Sequence, residues 1–255
     1  MGCTVQLNRR LSISMHREPG HDELDFPRPL VCVDVIVFTV MQGVLHVLLA
    51  RRPSAPGEPF PGAPCLPGGF IDVARDDSLL QCALRKLHDK TGFSSPYLEQ
   101  LGSWGNAARD PRGWSATHAY FALVPPPDMP VAAARDVEWV PVERAAQMAL
   151  AFDHSEIFSA ALGRLRGKVE YTSLPAFLLN EPFTLPELQH VYEAVLARPL
   201  DKSAFRKRML DAGFLEPAGQ VAQTVGRPAT GYRVRERERA AIFPRTFRAS
   251  EAAAD

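Results

Sequence analysis

At 255 residues the chain has room for two modest domains, each large enough to bury a core. No apolar run approaches the ~20 residues of a membrane span. The start, Met-Gly-Cys-Thr-Val-Gln, has neither the Ser/Thr that a myristoylation site carries at its sixth position nor an apolar signal core behind it, so a cytoplasmic protein without a membrane partner is expected. Net charge is zero but unevenly spread: residues 1–160 hold 14 Lys+Arg against 18 Asp+Glu, and residues 161–249 hold 15 against 9. An acidic front and a basic rear suit different partners, the rear one nucleic acid.

Residues 1–27 are polar and irregular, with Pro19, Gly20 and Pro27, and are expected to form a mobile arm. The β-branched apolar runs 31–40 and 44–50 around Met41-Gln42-Gly43 predict a hairpin. Proline-rich 53–67 reads as a loop. Ser78 starts a helix whose buried stripe is Leu80, Ala83, Leu84 and Leu87, and Gly92 ends it. Strands follow at 97–105 and 117–125, with the turn Arg109-Asp110-Pro111-Arg112-Gly113 between them, then a strand at 137–141 and a short helix near 143–149. This order predicts an α/β/α sandwich around a mixed sheet. The cysteines Cys3, Cys32, Cys65 and Cys82 have no metal-type spacing and read as small core residues of a reduced protein.

Residues 68–93 read GGFIDVARDDSLLQCALRKLHDKTGF. The stretch resembles the Nudix signature, a Gly-rich loop leading into a helix that ends Arg-Glu-aliphatic-X-Glu-Glu-X-Gly-aliphatic. Glycines, spacing and apolar positions are kept, but the three glutamates of that ending read Lys86, Asp89 and Lys90. Spaced i,i+3 and i,i+4, these side chains converge on one helix face. Mg²⁺ needs carboxylate oxygens there. Two lysines instead of two glutamates reverse the local charge, and each unit repulsion at ~4 Å is worth roughly 4 kcal/mol at an effective dielectric near 20. Asp77 and Asp89 are thin support for a metal cluster. The lysines suit direct pairing with a pyrophosphate, the plain alternative being a solvated helix face.

A longer helix near 153–168 is expected to bridge two domains. Beyond Glu181-Pro182, Thr184 with Glu187 forms a capping box, and Leu185, Leu188, Tyr192 and Val195 recur at helical spacing behind it. Asp201 then caps a second helix running to about Ala212, with Phe205, Met209 and Leu210 on its core side and Lys202, Ser203, Arg206 and Lys207 on its outer side. A loop through Gly219, Gly226-Arg227-Pro228 and a strand Tyr232-Arg233-Val234-Arg235 follow. Helix, turn, basic helix and glycine-rich hairpin is the order of a winged helix-turn-helix, whose second helix enters the major groove. Arg227 and Arg233 in the wing suit backbone contact; a small domain with a solvated basic face is the alternative.

Together the halves resemble the NrtR family of Nudix-related bacterial repressors of NAD metabolism. The resemblance covers residues 28–236 and is carried by LPGGFID at 66–72, RDPRG at 109–113, LAFDHSEI at 150–157, LRGKVEYT at 165–172 and FTLPELQHVYEAVLARPLDKSAFRKRML at 183–210. It implies a homodimer, operator DNA as partner, and ADP-ribose or a similar nucleotide as effector rather than cofactor. It also implies a division into an arm (1–27), a Nudix-like sensor (28–152), a linker helix (153–170), a winged helix (171–240) and a tail (241–255). With geometry it nominates Arg52, Arg109 and Arg112 as phosphate partners beside Lys86 and Lys90, Gly68 and Gly69 for close backbone approach, and Phe70 and Trp104 to stack on adenine. The expected protein is a repressor that does not hydrolyse its ligand. The alternative is an ADP-ribose pyrophosphatase with an appended DNA-binding or dimerisation module.

Overall fold

A computed structural model describes residues 28–92, 95, 97–127, 136–222, 227–237 and 239–247. The expected arm at 1–27 and the end of the tail at 248–255 lie outside the described residues.

The hairpin predicted at the front forms from β1 (Leu30–Met41) and β2 (Val44–Arg51). Its two turn residues, Gln42 and Gly43, both have positive φ (52° and 74°), the turn whose twist matches that of paired strands. Strand alternation divides the side chains of β1 between two faces. Val33, Val35 and Val37 join one buried cluster, and Ile36, Phe38 and Val40 the other. Both faces are covered, which explains why the run is apolar throughout instead of alternating. The remaining strands are β3 (Pro64–Cys65), β4 (Gly68–Phe70), β5 (Tyr97–Asp110), β6 (Gly113–Leu123) and β7 (Val137–Pro141). They complete a mixed sheet in the order β3-β2-β1-β6-β5, with β4 also on β1 and β7 on β2. β1 and β6 run parallel, the other pairs antiparallel.

Helix α1 (Leu79–Thr91) starts where Ser78 accepts a hydrogen bond from Gln81 N and stops at Gly92, whose φ is 76°. Its buried stripe differs from the expected one. Cys82, Ala83 and Leu87 are buried, whereas Leu80 and Leu84 are 48% and 44% exposed. The helix is rotated by about one position, because the small side chains at 82 and 83 allow close approach to the sheet.

After the single turn α2 (Val142–Ala145), helix α3 (His154–Val169) covers the opposite face with Ile157, Phe158, Ala161, Leu165 and Val169. A 3-10 turn (Leu174–Leu178) leads to α4 (Leu185–Leu196), α5 (Lys202–Asp211), β8 (Leu215–Val221) and β9 (Ala229–Val234). The capping box of Thr184 and Glu187 and the Asp201 cap are both formed. Leu210 is 43% exposed instead of buried. The segment after Leu215, expected as a loop, is the first strand of the wing, paired antiparallel with β9; Pro217 and Gly219 obscured it in the sequence.

Two boundaries also differ. The expected linker helix α3 is packed on both sides, since a single apolar core runs from Ile36 and Phe38 in the sheet through Leu165 and Phe177 to Tyr192, Phe205 and Tyr232. Residues 241–247 are no loose tail: Phe243 is buried, and Phe247 contacts Tyr192 and Phe205 at 5.3 and 6.1 Å between ring centroids. Burying two more aromatic rings is favourable enough to fold this stretch back on the helices.

Leu87→Ala should lower unfolding stability by about 2–5 kcal/mol, whereas Leu80→Ala or Leu84→Ala should change it by under about 0.5 kcal/mol. Urea denaturation of the three variants checks the rotation of α1.

Candidate functional site

The front domain holds a cleft of about 340 Å³ where the sheet splits. β1 pairs with β2 at residues 38–41 but with β4 at 32–34, while the end of β2 pairs with β3. The strands part there, and their ends present Asp34, Arg51, Arg52 and Gly68–Phe70 to the opening, with Lys86 and Lys90 of α1, Arg109, Asp110 and Arg112 of the β5–β6 corner, and Phe152 and His154 beside α3.

The floor is a buried ionic cluster. Arg109 Nη2 lies 3.0 Å from Asp34 Oδ2, and its Nε lies 2.9 Å from Asp153 Oδ2. The guanidinium is also 5.7 Å from the centre of the Phe152 ring. His154 Nδ1 accepts the Leu66 backbone N–H at 2.9 Å. Its other ring nitrogen, Nε2, lies 3.5 Å from Asp34 Oδ2. Burial opposes ionisation of Asp34, but His154 and Arg109 outweigh it and hold its carboxyl below the usual carboxylate range. Phe152 has a positive φ of 57°, a conformation that costs energy in a non-glycine residue; it places the ring between Arg109 and Arg52, whose guanidinium carbon is 5.2 Å from the ring centre. Burial pushes the Cys32 and Cys65 thiols in the wall up to about 11, so neither is a thiolate at neutral pH.

Nearer the mouth, Arg52 pairs with Glu58 at 2.5 Å, and Arg112 with Asp110 at 2.8 Å, its guanidinium lying 5.1 Å above the Phe70 ring. A Cβ on Gly68 would lie 2.2 Å from Asp34 Oδ1, so this glycine is required by the close packing of β4 on β1. Gly69 has φ 147°, and Lys86 Nζ would lie 3.0 Å from a Cβ there. The lysine amine thus rests over a bare stretch of backbone. Lys86 and Lys90 have no carboxylate partner among the described residues.

Eight of the nine sequence-nominated residues, Arg52, Gly68, Gly69, Phe70, Lys86, Lys90, Arg109 and Arg112, line this one cleft. Trp104 does not. Its ring packs on the core under α3 and its Nε1 donates to Glu156 Oε1 at 2.8 Å, because strand alternation turns it to the other side of β5. Arg109 lines the cleft from a buried position, already shared between two carboxylates. Asp34, Phe152 and His154 were not nominated. Asp34 sits in an apolar run and the other two in LAFDHSEI, and only the exception of an acid within a hydrophobic strand could have marked the first.

The donor set does not fit a divalent metal. Asp76, not Asp77, takes the signature arginine: Arg85 binds it through two nitrogens at 2.6 and 2.5 Å, and this pairing holds the Asp76 carboxyl well below the usual range. Asp89 is 3.6 Å from the same Arg85, and its neighbours on the face are the Lys86 and Lys90 ammoniums.

The rear domain presents a second surface. Lys202, Ser203, Arg206 and Lys207 are exposed along α5, with Lys207 paired to Asp211 at 2.6 Å. Arg208 is turned inward instead, 4.0 Å from the centre of Phe247. In the wing Arg227 is exposed, and Arg233 pairs across the two strands with Glu216.

A split mixed sheet between helices, joined through a shared core to a winged helix, defines a Nudix-type domain fused to a helix-turn-helix module. The Nudix domain family matches residues 29–161, and the NrtR DNA-binding winged helix domain matches residues 175–234. An ADPR responsive transcriptional repressor, NtrR, of Acinetobacter baylyi is 44% identical over 227 residues, covering 88% of this chain and 90% of its own. The crystal structure of Shewanella oneidensis NrtR complexed with a 27mer DNA superimposes with a TM-score of 0.79 at 41% identity, over 86% of this chain and 99% of that one. The Nudix domain of the same Shewanella protein, complexed with ADP ribose, matches at TM-score 0.52 and 44% identity, over 57% of this chain and 94% of that one. This chain belongs to the NrtR family.

Because the Asp34 carboxyl is held below its unfolded value, its contribution to stability is complete above about pH 4 and is lost as pH falls further, toward its folded value. Asp34→Asn should flatten that acid limb of a stability–pH curve and cost about 3–5 kcal/mol at pH 7 by leaving Arg109 half-paired. Urea midpoints measured between pH 3 and 7 check both outcomes.

Proposed function

We propose that this chain is a ligand-responsive transcriptional repressor of the cytoplasm that binds ADP-ribose in the split-sheet cleft without cleaving it and then releases operator DNA. The observation that carries the reading is the charge balance of the cleft. Each cleft arginine has a carboxylate: Arg52 has Glu58, Arg109 has Asp34, Arg112 has Asp110, and Arg51 has Glu138 at 3.9 Å. Arg109 has Asp153 as well, whereas the two lysine ammoniums beside the bare backbone of Gly69 have no carboxylate partner among the described residues. Their combined charge of about +2 matches a diphosphate of about −2. A hydrolase uses its metal to polarise the phosphoryl oxygen and activate water; here the amines neutralise the diphosphate but supply neither function. The relatives named above, one responsive to ADPR and one solved with DNA and with ADP ribose, support the same reading.

The exposed side chains of α5 supply major-groove contacts and the wing arginines supply phosphate contacts. A homodimer acting on paired half-sites, with NAD-metabolism genes as targets, follows from the family resemblance and completes the proposal.

Ligand and DNA binding both test it. ADP-ribose should bind equally well in EDTA and in Mg²⁺ by calorimetry, with no AMP released; Lys86→Glu with Lys90→Glu should weaken binding in EDTA at least ~10-fold, equivalent to about 1.4 kcal/mol. Steady AMP release by the wild type would refute binding without cleavage. For DNA, Lys202→Ala with Arg206→Ala should abolish retardation of the fragment upstream of the chain's own gene. Arg227→Ala should weaken binding evenly across sequences and reduce the salt slope by about one.

A further inference from the structure

We propose that Asp153 is a toggle that reports occupancy of the cleft to the winged helix through α3, an inference that rests on the ligand-responsive reading above. α1, α4 and α5 each begin with a side-chain cap from Ser78, Thr184 or Asp201. The 16-residue α3 does not: Asp153 stands at its N-cap position, yet its side chain bonds no backbone N–H of the helix. The carboxylate is diverted. Its Oδ2 accepts from Arg109 Nε at 2.9 Å, while its Oδ1 is buried without a hydrogen-bond partner among the described residues.

His154 N and Glu156 N already donate to the carbonyls of Ala151 and Asp153, so Ser155 N–H is the first-turn donor left for a cap and Asp153 Oδ1 the acceptor left for it among the described residues. Capping Ser155 N takes a swing of the Asp153 backbone from ψ 18° to the extended range of the other three caps as its side chain turns, and its bond to Arg109 holds it back. Arg109 is the one member of this pair that lines the cleft. A phosphate oxygen entering the cleft competes for the guanidinium, which keeps Asp34 as its second anchor. Asp153 is then released to cap α3. Two discrete arrangements of one side chain, biased by an anion, are what a binding-linked switch needs.

The far end of α3 is pinned to both helices of the helix-turn-helix. Glu170 at its C-cap binds Arg198 at 2.9 and 3.0 Å, Arg166 Nε donates to Val195 O at 3.1 Å, and Arg208 of α5 donates to Glu170 O at 3.4 Å. A displacement of the first turn of α3 is therefore delivered to the DNA-reading element through a rigid rod and a continuous core.

The test uses the full chain, ADP-ribose, and a fluorescein-labelled duplex from upstream of its own gene, with DNA affinity read by anisotropy and ligand affinity by calorimetry. In Asp153→Ala the ratio of duplex affinities without and with saturating ADP-ribose should fall to under about threefold, below the usual allosteric range, whatever the change in either affinity alone. Asp153→Asn keeps capping ability but lacks the ion pair; it should bind the duplex more weakly even without ligand. Glu170→Gln should reduce the ligand response from the other end. An Asp153→Ala protein that releases the duplex as the wild type does would overturn the toggle alone. A wild type that holds its duplex in saturating ADP-ribose would overturn the toggle together with the function it rests on.

Discussion

The structure depends on a guanidinium removed from water. Arg109 is 6% exposed, and taking such a charge into the interior costs several kcal/mol unless it is closely paired. Asp34 from the central strand and Asp153 from the start of α3 supply that pairing, and the Phe152 ring supplies a face for the cation. Arg109, Asp34 and Asp153 come from separate elements of the fold. Satisfying one cation thus fixes the corner of β5 and β6, the inner end of β1 and the head of α3 relative to one another. The cleft is the space these elements leave above the arginine.

The same architecture separates the Nudix frame from the charges it carries. The split sheet, the Gly-rich strand and the helix behind it are those of a phosphate-handling site, and none depends on the identity of residues 86 and 90. Lysines there leave the frame intact while changing what it can do. The signature arginine binds Asp76 through two nitrogens and lies 3.6 Å from Asp89. Fold and chemistry are thus separable at the level of two side chains.

The two halves share one apolar core. Side chains of the sheet, α3, the 3-10 turn and α4 form a single apolar cluster that extends to Phe205 of α5 and to Phe243 beyond the wing. Close-packed interiors deform by discrete repacking, not by gradual yielding, so a shift at one end of α3 is not absorbed along its length. Helix α3 is therefore a part of both domains, where composition suggested a connector.

Local rules made much of this legible in the amino-acid order. The hairpin at Gln42–Gly43, the caps at Ser78, Thr184 and Asp201, and the winged-helix order are each set by a few adjacent residues, and each is found where periodicity and capping chemistry put it. The lysines at 86 and 90 were readable for the same reason, since helical spacing alone brings them to one face. The rotation of α1 away from Leu80 and Leu84, the turning of Trp104 onto α3, and the folding back of Phe243 and Phe247 were not. Those depend on which surface lies opposite. Above all, only the tertiary structure decided that Asp34, Arg109, Asp153 and His154 meet, because a buried charge selects its partners through space, and 119 residues separate Asp34 from Asp153 along the chain.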